Sequence, residues 1–360
     1  EMKKKLVVVL LSAAMCVAAF GGCGAKSDSS DSSSNKKTET SSKKEDQKAA
    51  DAVAKKIDAI YVQERTDKTD EQCKAAKEAW DKLTDAQKEL VEGDNADPDY
   101  FGRDTGDASQ DDPLNGDDIG EKELLVVSFG TSFNASRAAD IGGVEKALQA
   151  ANPDWSVRRA FTAQIIINHV QARDGEKIDN VDQALERAVK NGVKQLIIQP
   201  THLMHGAEYK ELTEAVESYK DKFESVKIAE PLLGEVGSDA TVINADKAAV
   251  AEAITAEAVK TAEYDSLDAV AADSTAFVFM GHGTSDEAKI SYSQMQTQME
   301  KLGYNHANND MAGDDDDSWL SQFEASKNFD SVKTQIAGLG EIDAIQQLYA
   351  AHTKAAMDAQ

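Results

Sequence analysis

The sequence has few of the residues that cross-link a fold. Three cysteines occur in 360 residues, and Cys16 and Cys23 both lie in the N-terminal leader, so Cys73 has no intrachain partner. This excludes a disulfide framework and a zinc site built from cysteines. The sequence also has no Gly-x-x-x-x-Gly-Lys-Ser phosphate loop, which is consistent with an activity that uses no nucleotide.

Positive charge is scarce as well. Lys and Arg number 39 against 65 Asp and Glu, which gives a formal net charge of −26. Nucleic-acid binding depends on a patch of Lys and Arg that displaces counterions from phosphates, and no such patch stands out. The sequence therefore predicts no nucleic-acid partner. Metal cations are more compatible with this charge, although much of it also suits an ordinary solvated surface.

Residues 1–23 have the layout of a secretory leader. Lysines at positions 3 to 5 precede an apolar stretch of 15 residues from Leu6 to Phe20, which is shorter than the roughly 20 residues of a spanning helix. Gly21 and Gly22 then precede Cys23, an arrangement that resembles the bacterial lipoprotein cleavage box. We therefore expect an extracytoplasmic protein held at a bacterial membrane by lipid on Cys23. An ordinary secretory peptide is the alternative.

Three segments separate this leader from the main domain. Residues 24–46 are polar without apolar periodicity and are predicted to form a disordered tether. Residues 47–92 have apolar positions at helical spacing, and Thr84 with Gln87 matches a capping box, so a small helical module is expected. Residues 93–120 are rich in Asp, Gly and Asn and are interpreted as an acidic linker.

Residues 121–360 alternate short apolar runs with amphipathic helices. Such alternation predicts right-handed crossovers between parallel strands, and hence a doubly wound α/β domain. The predicted strands are 124–128, 156–159, 195–199 and 226–229, and the predicted helices are 135–150, 181–191 and 207–223.

Two strand-to-loop junctions repeat within this domain. Residues 125–132 (LVVSFGTS) and 277–285 (FVFMGHGTS) are both apolar strands that end in Gly-Thr-Ser. The repeat indicates two α/β halves, each delivering a loop at the carboxyl end of its first strand, where open parallel sheets bind ligands. In this alignment His282 takes the place of Phe129, so an imidazole and an aromatic ring would face a flat ligand.

Two histidines are candidates for chemistry. His282 lies between Gly281 and Gly283, which leaves its ring open rather than packed, whereas a core histidine is usually enclosed by larger groups. His306 is followed by five aspartates, up to Asp317. Nitrogen and oxygen ligands of this kind suit borderline divalent ions. A solvated loop is the alternative interpretation of the acidic run.

The motifs together resemble a known family. LLVVSFGTS, RAFTAQII, IIQPTHLMHGAEY, FMGHGTS and HANNDMAGDDDDSW occur in this order, and the chain from Glu123 to Ala356 is similar to the anaerobic sirohydrochlorin cobalt chelatases, which are class II tetrapyrrole metal chelatases. The resemblance implies a chelatase-like fold of duplicated doubly wound halves. It also implies ATP-independent insertion of a divalent metal into sirohydrochlorin, with Co²⁺ as the expected metal and Ni²⁺ or Fe²⁺ as alternatives.

The resemblance assigns roles to several residues. His282 and His306 would present the metal and accept the pyrrole protons. Glu208 stands in the first half where His306 stands in the second, so it is the candidate acidic metal ligand across the cleft. The residues expected to contact the tetrapyrrole are Phe129, Gly130, Thr131, Ser132, Glu208 and Gly283.

Other polar residues have secondary roles by position. His202 and His205 share the loop before Glu208, where they either touch ligand or form loop hydrogen bonds, while His169 and His352 are expected to be structural. Sirohydrochlorin carries many carboxylates, so a basic rim is expected. Its candidates are Arg158, Arg159, Arg173 and Lys210.

The second half is shorter than the first. Counted along the chain, 79 residues lead from Phe129 to Glu208 but only 24 from His282 to His306, so about 55 residues are missing. The family's glutamate ligand, in a Val-Glu-x-Tyr-Pro-type segment, has no counterpart. A second function therefore stays open, that of a surface protein that binds a metal ion or a metallated tetrapyrrole such as haem without turnover.

Overall fold

A computed structural model describes the backbone of residues 5–12, 36–301 and 319–359, and the side chains of residues 43–301 and 321–359. Cys23, His306 and the aspartates up to Asp317 lie outside these ranges. Every helix in the described ranges is too short or too polar to span a lipid bilayer.

Seven strands and thirteen helices make up the described chain, together with short 3-10 turns. The strands are β1 (Lys5–Ser12), β2 (Lys122–Ser128), β3 (Ser156–Phe161), β4 (Gln195–Pro200), β5 (Ser225–Ile228), β6 (Thr275–Phe279) and β7 (Ser331–Gly338). The helices are α1 (Lys36–Ile60), α2 (Thr69–Trp80), α3 (Asp85–Lys88), α4 (Asn134–Ser136), α5 (Gly142–Ala151), α6 (Gln164–Asp174), α7 (Val181–Lys190), α8 (Ala207–Glu217), α9 (Ala245–Thr261), α10 (Leu267–Ala272), α11 (Ile290–Lys301), α12 (Trp319–Ser326) and α13 (Asp343–Asp358).

The N-terminal helical module is formed by α1, α2 and α3. Its small core contains Ile57, Cys73 and Trp80, all buried, and burial raises the pKa of the Cys73 thiol to about 11. The capping box is confirmed, because the Thr84 hydroxyl accepts from the Gln87 N–H and the Gln87 side chain accepts from the Thr84 N–H. Helix α1 starts inside the segment predicted to be a disordered tether.

The module packs on the main domain through α6. Tyr100, in the segment that follows the module, stacks its ring on His169 of α6 at 4.3 Å between centroids, with an interplanar angle of 18°. Asn168 Nδ2 donates to the Ile60 carbonyl at 2.8 Å. Burial lowers the pKa of His169 to about 3, so its imidazole is neutral near pH 7. These contacts support the structural role expected for His169.

The first half is a four-stranded parallel sheet in the order β3-β2-β4-β5. Side chains of β2 alternate between two cores: Leu124 and Val126 face a cluster that includes α5, α9 and α13, whereas Leu125 and Val127 face a cluster with α7 and α8. Strand residues alternate between the two faces of a sheet, so helices must cover both faces. The predicted doubly wound α/β architecture is therefore confirmed.

The second half has a parallel sheet in the order β6-β1-β7. In the sequence repeat β6 corresponds to β2, and in the described second sheet β1 lies between β6 and β7. The strand in that position comes from the apolar stretch of the leader, Lys5–Ser12. Leucines and valines fit a central strand because both faces of a parallel sheet are covered.

The two halves share one hydrophobic core. It contains Leu124 and Ile197 from the first sheet, Phe277 and Phe279 from the second, and buried residues of α9 and α13. Helix α13 also makes polar contacts with the first sheet, since Thr353 Oγ1 donates to Gln199 Oε1 at 2.8 Å. The halves therefore pack as one unit.

Residues 93–120, which the sequence analysis interpreted as a linker, carry a carboxylate buried in the main domain. Asp111 Oδ2 lies 2.6 Å from both Arg137 Nε and Arg159 Nη1. Glu145 pairs with Arg159 at 2.7 Å, and Glu176 pairs with Arg137 at 3.1 Å. We call these five residues the Asp111 network. Burial alone would raise the pKa of Asp111, but hydrogen bonds from Arg159 and Arg137 outweigh it and lower that pKa.

Substituting Asp111 by Asn should destabilise the protein severely. The change leaves Arg137 and Arg159 buried with less compensating charge, and breaking a buried ion pair costs about 3–5 kcal/mol. The free energy of unfolding from urea denaturation measures this cost. The control is Asp112→Asn at the exposed neighbouring position, which should change stability by less than about 0.5 kcal/mol. Equal stabilities of the two variants would contradict the account.

Candidate active site

The candidate site is formed by loops at the carboxyl ends of three strands. They are the β2 loop (residues 129–133), the β4 loop (residues 201–206) and the β6 loop (residues 280–286). In an open parallel sheet this edge is where ligands bind, because successive strands deliver their following loops to the same side.

The β2 loop is shaped by buried contacts. Gly130 has a φ of +102°, and a Cβ there would lie 2.5 Å from Phe161 Cδ2, so only glycine fits. Thr131 is fully buried, and its hydroxyl accepts from the Phe133 N–H at 3.1 Å. Phe129 and Ser132 are half-buried. Gly130 and Thr131 thus define the path of the loop, and Phe129 and Ser132 are the more accessible members of the predicted set.

The chain after the β2 loop forms a π-helical turn, Arg137–Ile141, that packs against the end of the second sheet. A Cβ on Gly338 or on Gly340 would overlap Asp140, so neither position has room for a side chain. Burial, together with the nearby charge of Glu341, raises the pKa of Asp140 to about 7. This contact fixes the β2 loop relative to the second half.

The β6 loop presents His282 to solvent. The imidazole is exposed, with Nδ1 3.1 Å from the Gly283 carbonyl oxygen. With a proton on Nδ1, the ring donates to that carbonyl and directs the lone pair of Nε2 outward. Tyr292 of α11 supports the loop, because its hydroxyl accepts from the Gly283 N–H at 3.1 Å and its ring packs against Gly281. The open imidazole predicted from Gly-His-Gly is therefore confirmed, and Tyr292 is a supporting residue that the sequence pattern did not reveal.

The β4 loop contains a second imidazole. Among the described residues, neither ring nitrogen of His202 has a hydrogen-bond partner, and both nitrogens are buried. Burial lowers the pKa of His202 to about 4, although the nearby Glu208 carboxylate opposes the shift. Glu208 is half-buried in the first turn of α8. His202 is thus a neutral imidazole beside the candidate acidic ligand.

The other histidines near this edge have structural partners. His205 Nε2 lies 3.1 Å from Glu230 Oε2, and this contact is the main reason that the pKa of Glu230 is lowered. His352 is buried, with Nε2 3.0 Å from Asp246 Oδ1 and Nδ1 3.1 Å from the Glu230 carbonyl. These contacts match the structural role expected for His352 and favour a loop contact for His205.

An ion pair connects the loops of the two halves. Lys210 Nζ lies 2.8 Å from Asp286 Oδ2 and 3.0 Å from Oδ1. Lys210 is on α8, two residues after Glu208, and Asp286 ends the loop that holds His282. The structure therefore brings the loops of Glu208 and His282 together.

The predicted basic rim is largely wrong. Arg158 is buried and binds the Gly116 carbonyl and Asp179, Arg159 belongs to the Asp111 network, and Arg173 binds the Ser132 carbonyl at 2.6 Å. Their guanidinium groups stabilise the fold from within because each faces a buried carboxylate or carbonyl. Lys210 is exposed, but Asp286 occupies its ammonium group.

Within the described ranges, no group of three or more His, Cys, Asp and Glu side chains is arranged to hold a metal ion. His306, the second predicted metal-presenting residue, lies outside those ranges. The described part of the candidate site thus consists of His282 on one half and Glu208 with His202 on the other.

Comparison with known proteins identifies the family. The model of the cobalt chelatase (CbiK) family matches residues 122–305 and, in a second piece, residues 303–358, which together exceed half of the chain. The chain belongs to the cobalt chelatase family. This finding confirms the resemblance drawn from the ordered motifs.

Curated relatives of this cobalt chelatase family member carry consistent names. The sirohydrochlorin cobaltochelatase of Salmonella typhimurium is 28% identical over 276 residues, covering 66% of this chain and 97% of the relative. Sirohydrochlorin cobaltochelatase CbiKC of Nitratidesulfovibrio vulgaris is 26% identical over 246 residues, covering 57% and 80%. The solved structure of SirB from Bacillus subtilis with Fe³⁺ aligns with a TM-score of 0.42 at 11% identity, covering 66% of this chain and 96% of its own.

The burial of His202 predicts a specific pH dependence. Its folded pKa of about 4 lies below the unfolded value of about 6.5, so its stabilising contribution is complete above pH 6.5 and is lost as the pH falls toward 4. Between pH 7 and pH 4.5, wild type should lose about 2 kcal/mol more unfolding free energy than His202→Gln.

Urea denaturation at the two pH values measures this difference. His282→Gln, at an exposed imidazole, is the matched control and should follow wild type. If His202→Gln lost as much stability on acidification as wild type, the buried neutral imidazole would be refuted.

Proposed function

We propose that this protein inserts Co²⁺ into sirohydrochlorin without ATP. The observation that carries the proposal is the exposed His282 imidazole on the Gly-His-Gly loop of a cobalt chelatase family domain. The names of the relatives, sirohydrochlorin cobaltochelatases, support the substrate and the metal. Ni²⁺ and Fe²⁺ are alternative metals that imidazole and carboxylate ligands also accept.

The reaction replaces two pyrrole protons of the macrocycle by one divalent metal ion. It needs a weak metal ligand that releases the ion and a base that takes up the protons. Neutral imidazole serves both purposes, because it accepts protons near neutrality and binds cobalt less tightly than thiolate does. His282 is assigned these roles, with its Nε2 lone pair directed away from the Gly283 carbonyl.

The first half supplies the opposite wall of the cleft. Glu208 would hold the metal from the carboxylate side, and the half-buried Phe129 ring would contact one face of the tetrapyrrole. Ser132 and Gly283 would lie at the edges of the macrocycle. Gly130 and Thr131 act through the loop that they shape. His306 would add a second imidazole.

We infer that about 55 residues of an intact second half are missing from this chain. The first sheet has four strands of its own, whereas in the described second half β6 and β7 are joined by the leader strand β1. The two matches to the family model meet at residues 303–305, where the sequence repeat places the missing unit. The lost segment includes the family's Val-Glu-x-Tyr-Pro position, so this chain would work without that glutamate.

The same loss favours a second candidate function. A protein without that glutamate could bind a metal ion or haem through His282 without converting a substrate or releasing a product. The number of turnovers separates the two functions, because a chelatase converts many equivalents of substrate whereas a carrier saturates at one ligand per site.

The test is cobalt insertion with sirohydrochlorin and Co²⁺ in large excess over protein, followed by the absorbance change of the macrocycle. We expect multiple turnovers in wild type and a fall of about 100-fold or more in His282→Ala, the size typical of losing a general base. His282→Ala should stay within about 0.5 kcal/mol of wild-type stability, since the side chain is exposed. Glu287→Gln, exposed just beyond the same loop, should keep wild-type activity. One equivalent of ligand bound without turnover would favour the carrier.

We also propose that the protein acts outside the cytoplasm, anchored by lipid on Cys23. Support comes from the lysine-rich start, the apolar stretch and the two glycines before Cys23. Cleavage before Cys23 would remove Lys5–Ser12 and leave the place between β6 and β7 without its strand.

Cys23→Ser should release the protein from bacterial membranes, because this cysteine is the proposed point of attachment. Membrane fractionation and the intact mass of the N-terminal peptide report the outcome. A lipidated peptide beginning at Cys23 is expected in wild type. An unmodified wild-type N-terminus that retains residues 5–12 would contradict the anchor and would mean that β1 is a permanent strand.

A further inference from the structure

The β4–α8 side and the β6 side of the cleft are joined by a contact between charged residues. Lys210 lies in the first turn of α8, and both carboxylate oxygens of Asp286 lie within 3.0 Å of its ammonium nitrogen. The Asp286 side chain is 16% exposed and that of Lys210 is 52% exposed. The carboxylate is therefore the more enclosed partner, and the lysine reaches it from α8.

Asp286 is held by its own loop as well. Its Oδ1 accepts from the Ala288 N–H at 2.8 Å, and its N–H donates to Thr284 Oγ1 at 3.1 Å. The Ala288 N–H and Lys210 both lower the pKa of Asp286, the backbone contact having the larger effect. The position of the Asp286 carboxylate is thus coupled to the backbone of the loop that carries His282.

On the other side, Lys210 belongs to the helix that carries Glu208. Lys210 N–H donates to the Gly206 carbonyl at 3.1 Å, which places it in the first turns of α8. Glu208 and Lys210 therefore move together with that helix terminus, while His282 and Asp286 move together with the β6 loop. The Lys210–Asp286 ion pair therefore links the helix that carries Glu208 to the loop that carries His282.

We propose that Lys210 and Asp286 form an ionic tether that positions the His282 imidazole relative to the Glu208 carboxylate. The tether touches neither metal nor tetrapyrrole and acts through the β6 loop, so both are positioning residues. This inference rests on the proposed function, since it assigns a geometric role within the same site. Because the pair is partly exposed, salt should weaken it, and catalysis should be salt-sensitive for that reason.

The first measurement is amide hydrogen exchange of peptides covering residues 280–290 in the full chain. Lys210→Met should speed exchange of these amides, because the loop loses its anchor on α8, and Lys210→Arg should restore slow exchange. The matched control is Lys220→Met, which breaks the exposed Lys220–Glu217 pair within the first half and should leave the 280–290 amides unchanged. Equal exchange in wild type, Lys210→Met and Lys220→Met overturns the proposal, whatever the activity.

The second measurement is a double-mutant cycle on kcat for cobalt insertion. Lys210→Met and Asp286→Asn, which keeps an acceptor for the Ala288 N–H, should each lower kcat by about two- to five-fold, the range expected from losing an exposed ion pair. The double variant should be no worse than either single variant, and raising the salt concentration should lower kcat in wild type but not in Lys210→Met. Additive losses, or faster loop exchange with wild-type kcat, overturn the positioning role.

Failure of the proposed function gives a different pattern. If wild type does not turn over at all, the chelatase assignment fails, and hydrogen exchange alone then decides whether the tether exists.

Discussion

The buried charges of the Asp111 network hold together the parts of the chain that shape the site. Asp111 lies in a segment of acidic, glycine-rich sequence, and its carboxylate compensates Arg137 in the π-helical turn after β2 and Arg159 in β3. Burial of these charged groups without partners would be unfavourable, because the free-energy cost of removing them from water would exceed the gain from packing. Because Arg137 also donates to the Thr131 carbonyl, the segment that carries Asp111 helps to support the β2 loop.

The candidate site includes residues of both halves, and its side chains are held more firmly in the first half than in the second. The first half presents Glu208 and a buried neutral His202 from a sheet covered on both faces. The second half presents His282 from a loop held by Tyr292 and by an ion pair to α8. The carboxylate side is thus built into the sheet and its covering helices, whereas the imidazole side is an exposed loop held by two contacts.

The sequence predicted the regular part of this structure well. The α/β strands and helices were found because period-2 and period-3.6 patterns are local, and Gly-His-Gly correctly indicated an exposed His282.

The prediction that Arg158 and Arg159 form a basic rim was wrong. The sequence of a strand does not reveal which distant carboxylate will pair with a charged residue in the folded core. Asp111 was missed for the reciprocal reason: its segment has no periodicity, and its partners lie 26 and 48 residues away. The use of Lys5–Ser12 as a strand was also missed, because leader composition and buried-strand composition are alike. The roles of His306 and of the ligand-contacting set stay predictions.

We propose that His282 is the imidazole that binds the metal in this family member. X-ray absorption of the Co²⁺-loaded protein tests it directly, because imidazole rings add a recognisable outer-shell scattering pattern to the cobalt spectrum. We expect this pattern in wild type and a marked reduction of it in His282→Ala, with Glu287→Gln unchanged. An identical imidazole pattern in wild type and His282→Ala would contradict it and place the metal elsewhere.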